Sequence, residues 1–205
     1  MRAQVLIVCM CSLAVLFGCG GDGGGGGNGG PTAASLTAEG WTLFEQSRYS
    51  EALDKFEEAT ALDNTYSDAH NGQGWTFAKM DSLDSALAQF ALAITHGMTT
   101  ADPYAGRTPV YRDDDTDPDH FDNAIASGLT ALSKTRRYAF SHDTDFDWKD
   151  LMVILAHCYC GNGEFETANA WVDSLPDGTP VDPGSETFQQ DLLDEIEDLT
   201  DLYGG

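Results

Sequence analysis

The sequence predicts an all-α protein, a stack of helical hairpins with an inserted loop and a C-terminal capping helix. Three observations carry this. Gly40, Trp41, Ala52, Leu53, Phe56 and Ala59 recur 34 residues later as Gly74, Trp75, Ala86, Leu87, Phe90 and Ala93. A fixed period of that length, carried by small and aromatic residues, marks one supersecondary unit stacked on its copy. Within each copy the apolar residues return every three or four positions, so each segment is a helix with one apolar face. The chain then ends on Phe188, Leu192, Leu193, Ile196, Leu199 and Leu202, on one helical face with acids elsewhere. A solenoid needs such a polar-backed helix over its exposed end.

The first unit spans about 33–66. Leu36, Gly40, Leu43 and Phe44 mark its first helix, Arg48 the turn, and Tyr49, Ala52, Leu53, Phe56, Ala59 and Leu62 its second. Small side chains at Gly40 and Ala52 let the two axes approach, and Phe56 fills the space toward the next hairpin. Asp63-Asn64 is a turn pair. The second unit, about 67–98, repeats this with Gly74, Phe77, Leu83, Ala86, Leu87, Phe90 and Ala93. Asp81-Ser82 makes its inner turn, and Gly97 stops its second helix as a C-cap. The order Gly40, Tyr49, Ala52, Phe56, Ala59 and its copy resembles the tetratricopeptide repeat (TPR), strongly over 33–98 and weakly over 119–175. The resemblance implies a TPR-like α-solenoid whose first helices face a concave groove, and a role in protein–protein interaction.

Beyond 98 the period breaks. Residues 99–118 hold three prolines, a glycine and an acidic run, and read as an inserted loop. A helix over 119–137 follows, with Phe121, Ala124, Ile125, Gly128, Ala131 and Leu132 on one face. It resembles a second repeat helix whose partner the loop has replaced. A weaker third unit spans 147–176. Ala156 and Ala168 take its small positions, and Gly161-Asn162-Gly163 its turn. After a loop over 176–184, Ser185 reads as the N-cap of a capping helix over 185–203.

The N-terminus reads as an address. Arg2 precedes an uncharged run from Val5 to Phe17, too short for a comfortable membrane span. The run ends Leu16-Phe17-Gly18-Cys19, which resembles the lipobox of bacterial lipoproteins, although Phe17 stands where a small residue is more usual. The resemblance implies a signal peptide over 1–18 and a lipid on Cys19. With Gly20 rather than Asp next, it implies an outer-membrane destination in the cell envelope. Residues 19–32, in which 20–30 is almost all glycine, form a tether with an r.m.s. reach of roughly 20 Å.

The formal net charge is −24, from 34 acidic against 10 basic residues. That argues against nucleic acid, whose phosphates need a basic surface. A basic protein or peptide partner fits the charge better than an acidic one. The five cysteines fall into two clusters, so no disulfide framework is indicated. Cys158 and Cys160 point some 200° apart on a helix and read as small buried thiols.

Under the repeat resemblance, Trp41, Trp75 and His157 form a row along the groove, with Thr37, Asn71 and Val153 one turn earlier. Such a row suits an extended peptide, because indole offers large area and one donor. The same rings equally suit a core position, with 99–118 or 119–137 folded over them. Asp113, Asp115 and Asp117 alternate, as do Asp143, Asp145 and Asp147, and calcium takes oxygens from such clusters. An EF-hand loop counted from Asp113 or Asp143 puts Pro118 or Trp148 where it needs Gly, so solvated loops and helix caps compete with calcium, and Asp147 reads as an N-cap. No nucleophile with its base, phosphate-binding glycine motif or metal-hydrolase motif stands out, so no enzyme is expected. The functions in view are a membrane-anchored interaction scaffold and, as the alternative, a calcium-binding or structural envelope protein.

Overall fold

The first helix starts on a capping box. Thr32 Oγ1 accepts from the Ser35 N–H at 3.1 Å, and Ser35 Oγ accepts from the Thr32 N–H at 3.0 Å. The structure, a computed structural model, describes residues 30–203. The signal segment 1–18, Cys19 and nearly all of the tether lie outside the described residues. Residues 31–205 cluster as one unit.

Among the described residues, helices run in order: α1 (Ala33–Glu45), α2 (Tyr49–Leu62), α3 (Ser67–Lys79), α4 (Leu83–Thr95), α5 (Asp102–Asp113), α6 (His120–Lys134), α7 (Trp148–Gly161), α8 (Phe165–Asp173) and α9 (Phe188–Tyr203). They pair as four hairpins, α1 with α2, α3 with α4, α5 with α6 and α7 with α8, and α9 packs on the last. Successive first helices touch one another, α1 to α3 to α5 to α7, while the second helices α2, α4, α6 and α8 do not. The first helices therefore form the inner, concave layer.

Two phenylalanine rings pin the stack. Phe56 is fully buried, and a Cβ built on Gly40 or on Gly72 would stand 2.6 or 2.3 Å from its ring. The ring is thus clamped between its own hairpin and the next. Phe90 repeats the arrangement between Gly74 and Gly106, at 2.6 and 2.4 Å. The turns repeat as well: Ser47 and Asp81, 34 residues apart, both take left-handed backbone at φ 58° and 56°. Gly97 takes φ 93° after α4, where a C-cap is expected.

The structure corrects three expectations. Residues 99–118 are not an inserted loop, because most of them form α5. Its Pro103 stands in the first turn, where the missing N–H costs nothing. Gly106 is not a breaker but the 34-residue copy of Gly72, making room for Phe90. The helix expected over 119–137, observed as α6, has therefore not lost its partner. It pairs with α5, and the array has four hairpins where the sequence suggested about three. The true insertion is 135–147, between α6 and α7. Finally, the capping helix starts at Phe188 rather than 185. Ser185 Oγ accepts from the Thr187 N–H at 3.1 Å and closes a turn ahead of the helix.

Asp147 does cap α7. Its Oδ1 accepts from the Lys149 N–H at 2.7 Å, while Asp150 Oδ2 accepts from the Asp147 N–H at 2.6 Å. Cys158 and Cys160 are buried free thiols, and burial pushes them up to about 12 and about 11. Leu192, Ile196 and Leu199 of α9 close the last hairpin against Met152, Val153, Ala168 and Val172. No helix among the described residues is long and apolar enough to cross a membrane.

Candidate functional site

The concave layer holds the site. Trp41 on α1 and Trp75 on α3 occupy equivalent positions and both face inward. Neither ring is open: their exposures are 5% and 3%. What covers them is the insertion. Residues 138–148 double back as a small hairpin, with the Trp148 N–H donating to Tyr138 O at 2.8 Å and the Phe140 N–H to Phe146 O at 3.1 Å. Tyr138, Phe140 and His142 turn into the groove, while Ala139 and Ser141 are exposed. That alternation belongs to an extended strand.

Each tryptophan receives one strand residue. His142 stacks on Trp41 with ring centroids 4.0 Å apart and planes within 2°. Phe140 stacks on Trp75 at 4.0 Å and meets Trp41 edge-on at 5.8 Å. Phe146 adds an edge contact to Trp75 at 5.4 Å. One helical turn further on each inner helix stands a charge, Glu45 on α1 and Lys79 on α3. His142 Nδ1 lies 2.8 Å from Glu45 Oε1, and Lys79 Nζ lies 2.7 Å from Asp143 Oδ2. Trp41 Nε1 donates to Asp68 at 3.3 Å. Burial raises the Asp68 carboxyl, an effect the indole N–H opposes. Trp75 Nε1 is buried without a partner.

Of the other residues expected along the groove, Thr37 is buried and donates to Ala33 O at 2.8 Å. Asn71 is buried with its Oδ1 unpartnered. Val153 is buried on α7 and lines the cleft described next; His157 is exposed and does not. The groove residues therefore come together in α1 and α3 but not along the whole row. Neither 99–118 nor 119–137 folds over the tryptophans. The covering segment is 138–148, whose period-two pattern Tyr138-x-Phe140-x-His142 was the available signal.

Beside this plug runs a cleft of about 860 Å³, walled by the tip of the 138–148 hairpin and by α1, α3, α5, α7 and α9. Six carboxylates line it, Glu45, Asp81, Asp113, Asp143, Asp145 and Asp150, against two cations, Lys79 and Arg112. Arg112 is spent on Asp113 at 2.7 Å and Lys79 on Asp143, so Asp81, Asp145 and Asp150 are left without a basic partner among the described residues.

Asp150 is the most perturbed of these. Burial, with a smaller push from the neighbouring Asp147 carboxylate, raises its pKa from 3.8 to about 6. A carboxyl held above its unfolded value contributes stability below about pH 4 and loses it as the pH rises through about 6. Asp150→Asn keeps an oxygen to accept from the Asp147 N–H but cannot ionise. The variant is expected to melt above the parent at pH 7–8 and level with it near pH 4. Parallel melting curves across that range check this, and a pH-independent difference would show that Asp150 does not titrate there.

The acidic run after α5 serves the turn into α6. Asp113 pairs with Arg112, Asp114 accepts from the Thr116 N–H and hydroxyl, and Asp117 accepts from the Asp119 N–H and from Asn123 Nδ2, both at 2.9 Å. Asp115 is exposed. Among the described residues no three His, Cys, Asp or Glu side chains are placed to hold a metal ion.

Hairpins stacked through ring-on-glycine contacts, with first helices inside and a capping helix at one end, define an α-solenoid. No family model matches the chain, and no curated protein matches it in sequence. Solved structures do. The chain is similar to MamA at 18% identity and a TM-score of 0.56, over 84% of this chain and 77% of that one. It is similar to YrrB, described as a TPR protein with an unusual peptide-binding site, at 15% identity and 0.60, over 82% and 87%. It is similar to PilF of Pseudomonas aeruginosa at 14% identity and 0.58, over 84% and 76%. The fold is of the tetratricopeptide-repeat type.

Proposed function

We propose that this protein is an envelope-anchored interaction scaffold that holds a basic segment of a partner polypeptide in its concave cleft. The observation that carries the reading is the cleft itself: about 860 Å³ on the inner face, with six carboxylates against two cations. A lysine- or arginine-bearing segment entering it meets Asp81, Asp145 and Asp150, and the overall charge of −24 draws such a segment in from solution. The fold shared with YrrB, a TPR protein described as having an unusual peptide-binding site, supports a polypeptide as the ligand class.

Anchoring rests on the lipobox-like Leu16-Phe17-Gly18-Cys19, followed by the glycine tether. Cys19→Ser is expected to move the protein from the membrane to the soluble envelope fraction. Retention of the variant on membranes would remove the anchor. For the cleft, a lysine-rich peptide is expected to bind, and a glutamate-rich peptide of equal length is not. The affinity should fall about tenfold or more between low and physiological salt, and fall again in Asp81→Asn/Asp145→Asn. Equal binding of both peptides, or binding unchanged by the double substitution, would overturn the reading.

A further inference from the structure

The 138–148 hairpin occupies the tryptophan groove in the manner of a bound peptide rather than a connecting loop. Apart from Asp147, which bonds into α7, its main-chain hydrogen bonds to backbone stay within the hairpin: Phe140 N–H to Phe146 O, Phe146 N–H to Asp143 O, and Trp148 N–H to Tyr138 O. Among the described residues, no main-chain group of 138–147 bonds to α1 or α3. The strand is held there by side chains alone, and the holding pattern is modular. Two of the inner helices, α1 and α3, each offer a tryptophan and, four residues on, a charge. Trp41 and Glu45 take His142, while Trp75 and Lys79 take Phe140 and Asp143. The two modules are 34 residues apart in both members, so one repeat reads one part of the strand.

The fit is also incomplete. Trp75 is 3% exposed, yet its Nε1 finds no acceptor. Asn71 Oδ1, also on α3, is buried and unpartnered too. Orphaned polar atoms of this kind cost stability. A strand that supplied a carbonyl to the indole N–H would satisfy what the resident one does not.

We infer that the Trp41–Trp75 groove is a peptide-recognition site which 138–146 occupies as an exchangeable internal ligand. The class of partner it fits is an extended segment with aromatic side chains at alternate positions, the second of them carrying a hydrogen-bonding nitrogen for Glu45, followed by an acid for Lys79. This goes beyond the acidic cleft, whose wall it shares at Glu45, Trp75, Lys79 and Asp143: the ligand differs, and charge reversals at Glu45 and Lys79 with a compensating peptide test it apart from the substitutions at Asp81 and Asp145. The hairpin would then gate the site: only a segment that displaces it reaches the tryptophans.

The test replaces 139–145 with a glycine–serine linker of equal length and adds, in trans, a synthetic peptide with the sequence of residues 136–147. Saturable quenching or shift of tryptophan emission is expected. Glu45→Lys and Lys79→Glu should each weaken binding at least tenfold, and a peptide carrying Asp143→Lys should recover binding to the Lys79→Glu protein. A linker variant with parental helical circular dichroism that ignores the peptide, or binding blind to both charge reversals, overturns the inference. Should the linker variant not fold, hydrogen exchange on the intact protein decides. The Phe140 and Trp148 amides are expected to exchange at least a hundredfold faster than the protected amides of α3, through opening of the hairpin alone. Exchange of both at the pace of α3 would make the hairpin ordinary core and end the proposal.

Discussion

Trp75→Ala is expected to cost about 3–5 kcal/mol, the range for deleting a large buried aromatic ring. The ring is 3% exposed and is the hub of three aromatic contacts: Phe140 stacked at 4.0 Å, Phe146 at 5.4 Å and Phe90 at 5.8 Å. Its loss opens a cavity between the α3 hairpin and the 138–148 segment, and Phe90, packed between Gly74 and Gly106, is not free to fill it. Thermal unfolding should shift down by roughly 10 °C, at about 2–4 °C per kcal/mol for a chain of this size. Trp75→Phe separates ring packing from the indole N–H. That N–H has no acceptor, so removing it relieves an orphaned donor, and the variant is expected to lose less than about 1.5 kcal/mol. A Trp75→Ala protein melting within about 2 °C of the parent would place the ring outside the core.

The part of the fold that local pattern dictates was legible. Gly40 with Phe56 and Gly74 with Phe90 announced two hairpins, and Asp147 announced the start of α7. The third hairpin was hidden by residues with two meanings. Pro103, Pro109 and Gly106 punctuate loops in most settings, but Pro103 sits in a first turn and Gly106 serves the ring of the preceding hairpin. The 34-residue offset from Gly72 to Gly106 was present. Counting from Gly74 instead leads to Thr108, a buried threonine, and Ala124 replaces the expected phenylalanine. The candidate site was legible by half. Trp41 and Trp75 could be placed on the inner face, because the repeat resemblance puts the first helices inside and the register then aims both residues there. Their cover could not, because His142 and Glu45 meet across 97 positions of sequence and nothing local in 138–146 names its target. The carboxylates of the cleft come from the helix ends and the hairpin tip, which only the tertiary fold brings together.

Gly106→Ala is expected to destabilise by about 2–3 kcal/mol, the upper part of the range for one carbon forced into a packed core. Alanine is ordinarily the better helix former by about 1 kcal/mol, so propensity alone predicts a gain at this helical position. Packing reverses the sign. The new Cβ would lie 2.4 Å from Phe90 Cζ, and a Cβ on Gly74, in the preceding hairpin, would stand 2.6 Å from Cδ1 of the same ring. A ring free on one side would swing away at small cost, but this one is stopped on both. The same reasoning covers Gly72→Ala, whose new Cβ would lie 2.3 Å from the Phe56 ring, a ring that a Cβ on Gly40 would meet at 2.6 Å. A double-mutant cycle identifies the cause. Phe90→Leu alone leaves a cavity, and Gly106→Ala alone overfills; together the added methyl partly fills the space the ring vacates. The two are therefore expected to fall short of additivity by at least about 1 kcal/mol, since residues in contact couple and distant ones do not. Simple additivity, or a Gly106→Ala protein as stable as its parent, would mean that Phe90 has room to move and that the ring does not set the spacing between the second and third hairpins.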